Sequence, residues 1–237
     1  MPQARDPRKR CVAVIQSNYV PWKGYFDIIH DADLFIFYDD VQYSKNSWRN
    51  RNRIKTPQGA AWLAVPVRSR LGQKIRDVEL TDGRWAEKHW KTLQQLYSPA
   101  PHFERYRAFL EATYLGSRWR RLSELNQHMT ISIAREFLGI TTEFRDSSEF
   151  ALHGTKTERL VELLRQAGAA AYVSGPSGRD YIDAERFRAA GIELVYKSYE
   201  GYPAYPQFHP PFEHQVSILD LLFHTGPEAP DYIWGWR

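Results

Sequence analysis

The stretch CVAVIQSNYVPWKGYFDIIHDADLFIFYDD, residues 11–40, decides the fold. Its first six residues (CVAVIQ, 11–16) and residues 34–38 (LFIFY) are short apolar runs rich in β-branched or aromatic residues, the pattern of buried strands. Between them Phe26, Ile28 and Ile29 recur at helix-compatible spacing over residues 23–31, after Pro21, a favoured helix-start residue. Hydrophobicity in both runs is continuous rather than alternating, which marks a parallel sheet covered on both faces and therefore a βαβ unit. The expectation is an α/β protein with a mainly parallel sheet and flanking helices.

Residues 1–10 read as a polar tail and residues 11–237 as a single domain. Residues 61–67 (AWLAVPV) are a third strand candidate, with Pro66 confining it to an edge or a strand end. From about residue 84 to 139 the pattern turns helical, over 85–97, 103–115 and 121–138. In the last of these, Leu122, Leu125, Met129, Ile133 and Phe137 recur at three- or four-residue steps, so a helical insertion lobe is expected. A strand at 141–145 precedes a helix at 155–167, which opens with a Thr155–Glu158 capping box and ends at Gly168. Strands at 171–174 and 192–196 flank a short helix at 183–190 that ends at Gly191. Residues 12–16, 34–38 and 171–174 are expected to share one sheet. The apolar helix at 217–223 carries Asp220, which needs a partner if buried.

Of 237 residues, 43% are hydrophobic, 14% aromatic and 25% charged, a composition that packs a core and excludes disorder. No apolar run approaches the roughly 18–20 residues of a membrane span, and the charged start lacks the apolar stretch of a signal peptide. A cytoplasmic location is the expectation. The one cysteine, Cys11, excludes an intramolecular disulfide, and the histidines show no zinc-ligand spacing. A Gly-x-Ser-x-Gly elbow is also missing, which argues against a serine hydrolase of the α/β type. The net charge is only +4, but residues 41–76 carry nine basic residues and no Asp or Glu.

Parallel strands deliver their following loops to one edge, where ligands bind. After the first strand come Gln16, Asn18, Tyr19 and Lys23, just ahead of a helix whose free N–H groups favour an anion, although no glycine-rich phosphate motif is present. After the second come Asp39, Asp40, Gln42 and then Arg49-Asn50-Arg51-Asn52-Arg53. Adjacent carboxylates can hold a hydrated Mg²⁺, act as a general base or pair with arginines. In an extended segment Arg49, Arg51 and Arg53 share one side, suiting a phosphate or carboxylate, or else salt bridges to the protein's own acids. After the strand at 171–174, Ser174-Gly175-Pro176-Ser177-Gly178-Arg179-Asp180 makes a backbone-exposing loop. The candidate catalytic residues are thus Asp39, Asp40, Arg179 and Asp180. The candidate binding residues are Gln16, Asn18, Tyr19, Lys23, Gln42, Arg49, Asn50, Arg51, Ser174 and Ser177. Asn18, Asp39, Arg49 and Arg179 are expected to face one cleft. His89, one turn from Trp85, reads as either an acid/base group or a structural histidine.

The segments QSNYVPWKGYF (16–26), YDDVQY (38–43), WRNRN (48–52) and WLAVPV (62–67), with the 174–181 loop and the 217–223 helix, resemble the signature of the WbqC-like family over about residues 12–226. That resemblance implies a bacterial protein often associated with genes for O-antigen and other surface polysaccharides. More distantly, the opening strand–helix–strand and the late Ser-rich loop are similar to HIGH-type nucleotidyltransferases, implying a Rossmann-like sheet. Where those enzymes carry two histidines, this chain has Trp22-Lys23-Gly24-Tyr25, so their usual adenylyl transfer is not implied. Together these readings point to a transferase that uses a nucleotide, nucleotide-sugar or other phosphorylated ligand, with Mg²⁺ as a candidate cofactor. The alternatives are an RNA- or tRNA-binding or tRNA-dependent acyl-transfer protein, for which Tyr43, Trp48 and Trp62 interleave with basic residues, or a non-catalytic scaffold.

Overall fold

The computed structural model describes residues 10–81 and 84–237. Of the tail read at residues 1–10, all but Arg10 lies outside the described residues. The two opening runs are β1 (Cys11–Ile15) and β2 (Leu34–Phe37), joined by α1 (Lys23–His30). They pair in parallel, with Val12 opposite Leu34 and Ile15 opposite Phe37.

The chain then leaves the sheet. β3 (Arg51–Thr56) and β4 (Gly59–Ala64) form an antiparallel hairpin, and β5 (Val67–Arg68) pairs with β6 (Glu79–Leu80). The strand expected at 61–67 is therefore divided at Pro66, which has no N–H to donate to a ladder. Its first part is a hairpin arm and its last residue opens a separate ribbon. Within the stretch read as helical lie α2 (Arg84–Tyr97), α3 (Phe103–Glu111) and α4 (Leu122–Ser132), the latter two running on into wider π turns. The chain continues through β7 (Glu143–Asp146), α5 (Lys156–Gln166), β8 (Ala171–Ser174), α6 (Ala184–Ala189), β9 (Glu193–Tyr196) and α7 (Ile218–Thr225).

Five strands make the expected parallel sheet, in the order β7-β2-β1-β8-β9. From β1 the chain builds outward through β2 to β7, then returns to the other side of β1 for β8 and β9. This Rossmann-like order puts a topological switch point between β1 and β8. Alternate strand residues serve two cores. Ala13, Phe35 and Phe37 pack with α1, α7 and residues such as Leu93, Leu110 and Leu125 of α2–α4, so the helical stretch shares one core with the sheet. Val12, Val14, Leu34 and Ile36 pack against Leu163 and Leu164 of α5 and Phe187 of α6.

One local expectation is corrected at α5. Thr155 makes no side-chain cap, Lys156 takes a φ of 50°, and the Glu158 carboxylate accepts from Arg186 at 2.7 Å instead of closing a capping box. The far end is as read, with Gly168 at φ 68°. The partner expected for Asp220 is a set of three: the buried carboxylate accepts from the Tyr97 hydroxyl at 2.8 Å, the Tyr205 hydroxyl at 2.6 Å and the Gln207 amide at 2.7 Å. The start of α7 is tied to the opening loop and the hairpin, since Ile218 N–H donates to the Pro21 carbonyl at 2.9 Å and Ser217 N–H to the Arg53 carbonyl at 2.8 Å.

Candidate functional site

A cleft of about 780 Å³ opens at the carboxyl ends of β1 and β8, where ligands of open α/β sheets bind. Gln16 and Asn18 reach it from the loop after β1, Tyr38 from just after β2, Ser174 from the end of β8, Ser177 from the short 3-10 turn that follows it, and Lys156 and Thr157 from the first turn of α5. Aromatic walls come from Trp22, Tyr25, Trp48, Tyr172, Tyr181 and Tyr199. Arg49 and Lys156 bring positive charge, and among the described residues no Asp or Glu lines the cleft.

Arg49 is held by neutral groups. Its guanidinium donates to the Asn18 and Gln16 side-chain oxygens, which orient the fork without cancelling its charge. Burial pulls its pKa down, opposed by Tyr25 and Asp39, but an arginine stays protonated. The surrounding loops are shaped by buried polar side chains. Asp39 accepts from Ser17 N–H at 2.8 Å and from the Gln127 amide at 3.0 Å, and burial raises its carboxyl above the usual carboxylate range. Asn126 donates to the Arg49 carbonyl at 2.8 Å. Asn52 donates to the carbonyls of Tyr19 and Val20 at 3.1 and 2.9 Å. Val20 sits at φ 34°, a conformation β-branched residues rarely adopt and one that surrounding contacts must enforce. Gly24 has a related role: a Cβ there would lie 2.3 Å from the Trp22 ring, so glycine lets that indole fold over the first turn of α1 and wall the cleft.

Of the candidates read from sequence, Gln16, Asn18, Arg49, Ser174 and Ser177 meet in the cleft. The others point elsewhere. Asp39 lies buried beneath it with both oxygens bonded internally, and Asp40 pairs with Arg159 and accepts from the Ser147 hydroxyl at 2.7 Å. Tyr19 turns into the core. Lys23 lies under the Tyr202 and Tyr205 rings and donates to the Pro203 carbonyl, its pKa lowered by burial to about 8. Asn50 is buried on the Val65 carbonyl, and Gln42 is exposed where it bridges Lys74. Arg51 stacks on Trp62 at 4.1 Å and Arg53 donates to Gln215. Arg179 lies over the Tyr196 ring at 4.7 Å, and Asp180 is exposed outside the cleft lining. Hence Asn18 and Arg49 converge in the cleft, while Asp39, although within electrostatic range of Arg49, and Arg179 lie outside its lining. Arg51 and Arg53 share a face of β3 as alternation requires, but Arg49 lies in the turn before it, where Asn50 N–H bonds the Ser47 carbonyl.

His89 takes the structural reading. A carbonyl only accepts, so Nε2–H donates to Ala64 O at 3.1 Å, leaving Nδ1 to accept from the Tyr19 hydroxyl at 2.9 Å. Burial pushes its pKa down to about 4. Asp27, His30 and Asp31 are close enough to share a cation, but the Lys197 ammonium bonds both carboxylates and the Arg237 guanidinium bonds Asp27. None of these residues lines the cleft.

Fold and cleft define the class: an α/β protein with a Rossmann-like parallel sheet, a cation-bearing cleft at its switch point and, among the described residues, no helix long and apolar enough to cross a membrane. Residues 16–232 match the model of the WbqC-like protein family, and the chain belongs to that family. It is 48% identical over 224 residues to the uncharacterized protein Rv1507c of Mycobacterium tuberculosis (strain ATCC 25618 / H37Rv), covering 94% of this chain and 96% of that relative. No solved structure matches the chain.

Proposed function

We propose that the cleft takes a nucleotide-linked or otherwise phosphorylated small molecule, and that the protein is a transferase of bacterial surface-polysaccharide or related aminosugar biosynthesis. The observation that carries the ligand class is the pairing of Arg49 and Lys156 in a cleft with no lining carboxylate among the described residues. The first turn of α5 lines the same cleft without a Thr155 cap, so its N–H groups and dipole favour an anion there. Arg49 supplies a planar fork for two phosphate or carboxylate oxygens, and the Ser174 and Ser177 hydroxyls add hydrogen-bonding groups. Asp39 acts as a positioning residue, holding Ser17 and through it the Gln16–Asn18 turn that aims Arg49. The transferase and its polysaccharide setting rest on the family's association with surface-polysaccharide genes.

The test is a thermal-shift screen against pyrophosphate, nucleoside diphosphates and nucleoside-diphosphate sugars. A ligand at a hundred times its Kd adds about 2.7 kcal/mol to native stability, and Arg49→Ala combined with Lys156→Ala is expected to abolish the gain. A folded protein that none of these anions stabilises would sink the reading. A second reading, an RNA or tRNA surface, draws on the exposed Lys45, Arg68, Arg70 and Lys74. It requires affinity for a tRNA that falls steeply with salt.

A further inference from the structure

Of three exposed tryptophans among the described residues, Trp48, Trp62 and Trp236, the first two lie against each other. Trp48 is 42% exposed and Trp62 is 47% exposed, although large aromatic side chains are normally buried unless they serve a contact. Their ring centroids are 5.2 Å apart with planes tilted by 47°, making a shallow shelf of two indole faces. Arg51 braces it from β3 with its guanidinium 4.1 Å from the Trp62 centroid, within cation–π range. The Arg51 Nε is buried without a hydrogen-bond partner.

The shelf is continuous with the cleft. Trp48 belongs to both, and the next residue is Arg49. The backbone of this pair is anchored, with the Trp48 carbonyl accepting from Tyr19 N–H at 3.0 Å and the Arg49 carbonyl from Asn126 at 2.8 Å. The Trp48 indole and the Arg49 guanidinium both line the cleft, so a molecule with an anionic end and a flat ring can engage both. Residues 41–76, which carry both indoles, contain no Asp or Glu, so nothing in that stretch repels a polyanion.

We infer that Trp48 and Trp62 form a stacking subsite for the base of a nucleotide whose phosphates reach Arg49. This rests on the cleft being an anion site, and it narrows the ligand class from any phosphorylated molecule to one that carries a nucleobase. The base lies at the open rim and the phosphates lie inward. A base on an exposed indole gains from its π face whatever its identity, so the subsite favours bases over no base more than one base over another.

Calorimetric titration with pyrophosphate, glucose 1-phosphate, ADP, UDP and a short single-stranded oligonucleotide tests it. ADP and UDP are expected to bind about ten- to a hundredfold more tightly than pyrophosphate, the range of one stacked base, and to quench tryptophan fluorescence. Trp62→Ala should erase that excess and leave pyrophosphate binding unchanged. Trp62→Leu, which keeps apolar bulk on an exposed strand position, should do the same and guards against a folding defect in the alanine variant. Equal affinity for ADP and pyrophosphate, glucose 1-phosphate matching ADP, or an excess that survives both Trp62 variants overturns the shelf and leaves the anion cleft standing. If neither pyrophosphate nor any nucleotide binds, both readings fall. An oligonucleotide that binds far more tightly than ADP, with affinity lost steeply in salt, overturns the small-molecule subsite in favour of a polymer track.

Discussion

Arg49 and Asp220 are both substantially buried charges met by neutral partners, and they end in opposite situations. Asp220 is 0% exposed and takes three donors, from Tyr97, Tyr205 and Gln207. Its capacity is spent inside the protein. Arg49 takes two amide oxygens, from Asn18 and Gln16, and lines an open cleft. An arginine has five donors, so a ligand can still claim some of them. Neutral dipoles can thus either seal a charge or hold it ready, and access to solvent separates the two cases.

The largest expected effect would break the sealed side. Asp220→Ala leaves the Tyr97 and Tyr205 hydroxyls without their acceptor and removes one of the Gln207 amide's acceptors, at a cost on the order of 3 kcal/mol in unfolding free energy, read from urea denaturation. Asp220→Asn, which keeps one acceptor oxygen, should cost less. A loss under about 1 kcal/mol in the alanine variant would mean the three donors find other partners.

A comparable effect follows from His89, a neutral member of the same buried polar class. Its pKa of about 4 in the fold lies below the ordinary value near 6.5, so between those limits the unfolded chain binds a proton that the native state refuses. Stability is then full above pH 6.5 and falls as pH drops toward 4, by on the order of 3 kcal/mol in all. Urea midpoints measured from pH 7 to 4 should decline, and His89→Gln should flatten the His89 part of that slope. An unchanged slope would show that other groups dominate.

On the open side the effects are smaller and fall on binding. Arg49→Lys keeps the charge but loses the planar fork, so affinity for an anion found in the thermal-shift screen should weaken by about 1–3 kcal/mol. Arg70→Lys, exposed in the same basic stretch, should leave it unchanged. Unchanged affinity in the Arg49 variant would remove that residue from the site. The smallest effect is expected at Thr155, which caps nothing: Thr155→Ala should shift stability by less than about 0.5 kcal/mol. A loss near 1 kcal/mol, usual for a lost N-cap, would restore the capping box read from sequence.

The parallel sheet was legible because its three central strands, β2, β1 and β8, are buried on both faces, while the edge strands β7 and β9 are partly exposed. The hairpin was not, because β3 (RNRIKT) buries Asn52 and Lys55 beside Ile54 and so lacks an apolar signature. Half of the site was visible for the same reason that loops after parallel strands share an edge. That logic also covered the segment after β7, which delivers Lys156 and Thr157, and applying it to the helix start at 155–156 would have found them. Asn126 and Gln127 carried no local signal. They lie on a helix distant in sequence and reach the site only through tertiary packing. Adjacent carboxylates at a strand end, Asp39 and Asp40, look available in the sequence, whereas in the fold each is engaged by partners far along the chain.

The pairing of β1 with β8 joins Cys11 to Ala171 and Ala13 to Val173, across most of the length of the chain. During synthesis, β1 leaves the ribosome long before its second neighbour exists, with an apolar edge unpaired on that side. Such edges invite pairing with other chains, and long-range parallel contacts close slowly. The central strand is therefore the part of the nascent protein that most needs shielding. The cleft, whose walls span residues 14 to 199, comes into being only when the late strands dock. An intact cleft is accordingly a mark of completed folding, and a chain stalled before β8 would carry Arg49 and Trp48 without the opposite wall.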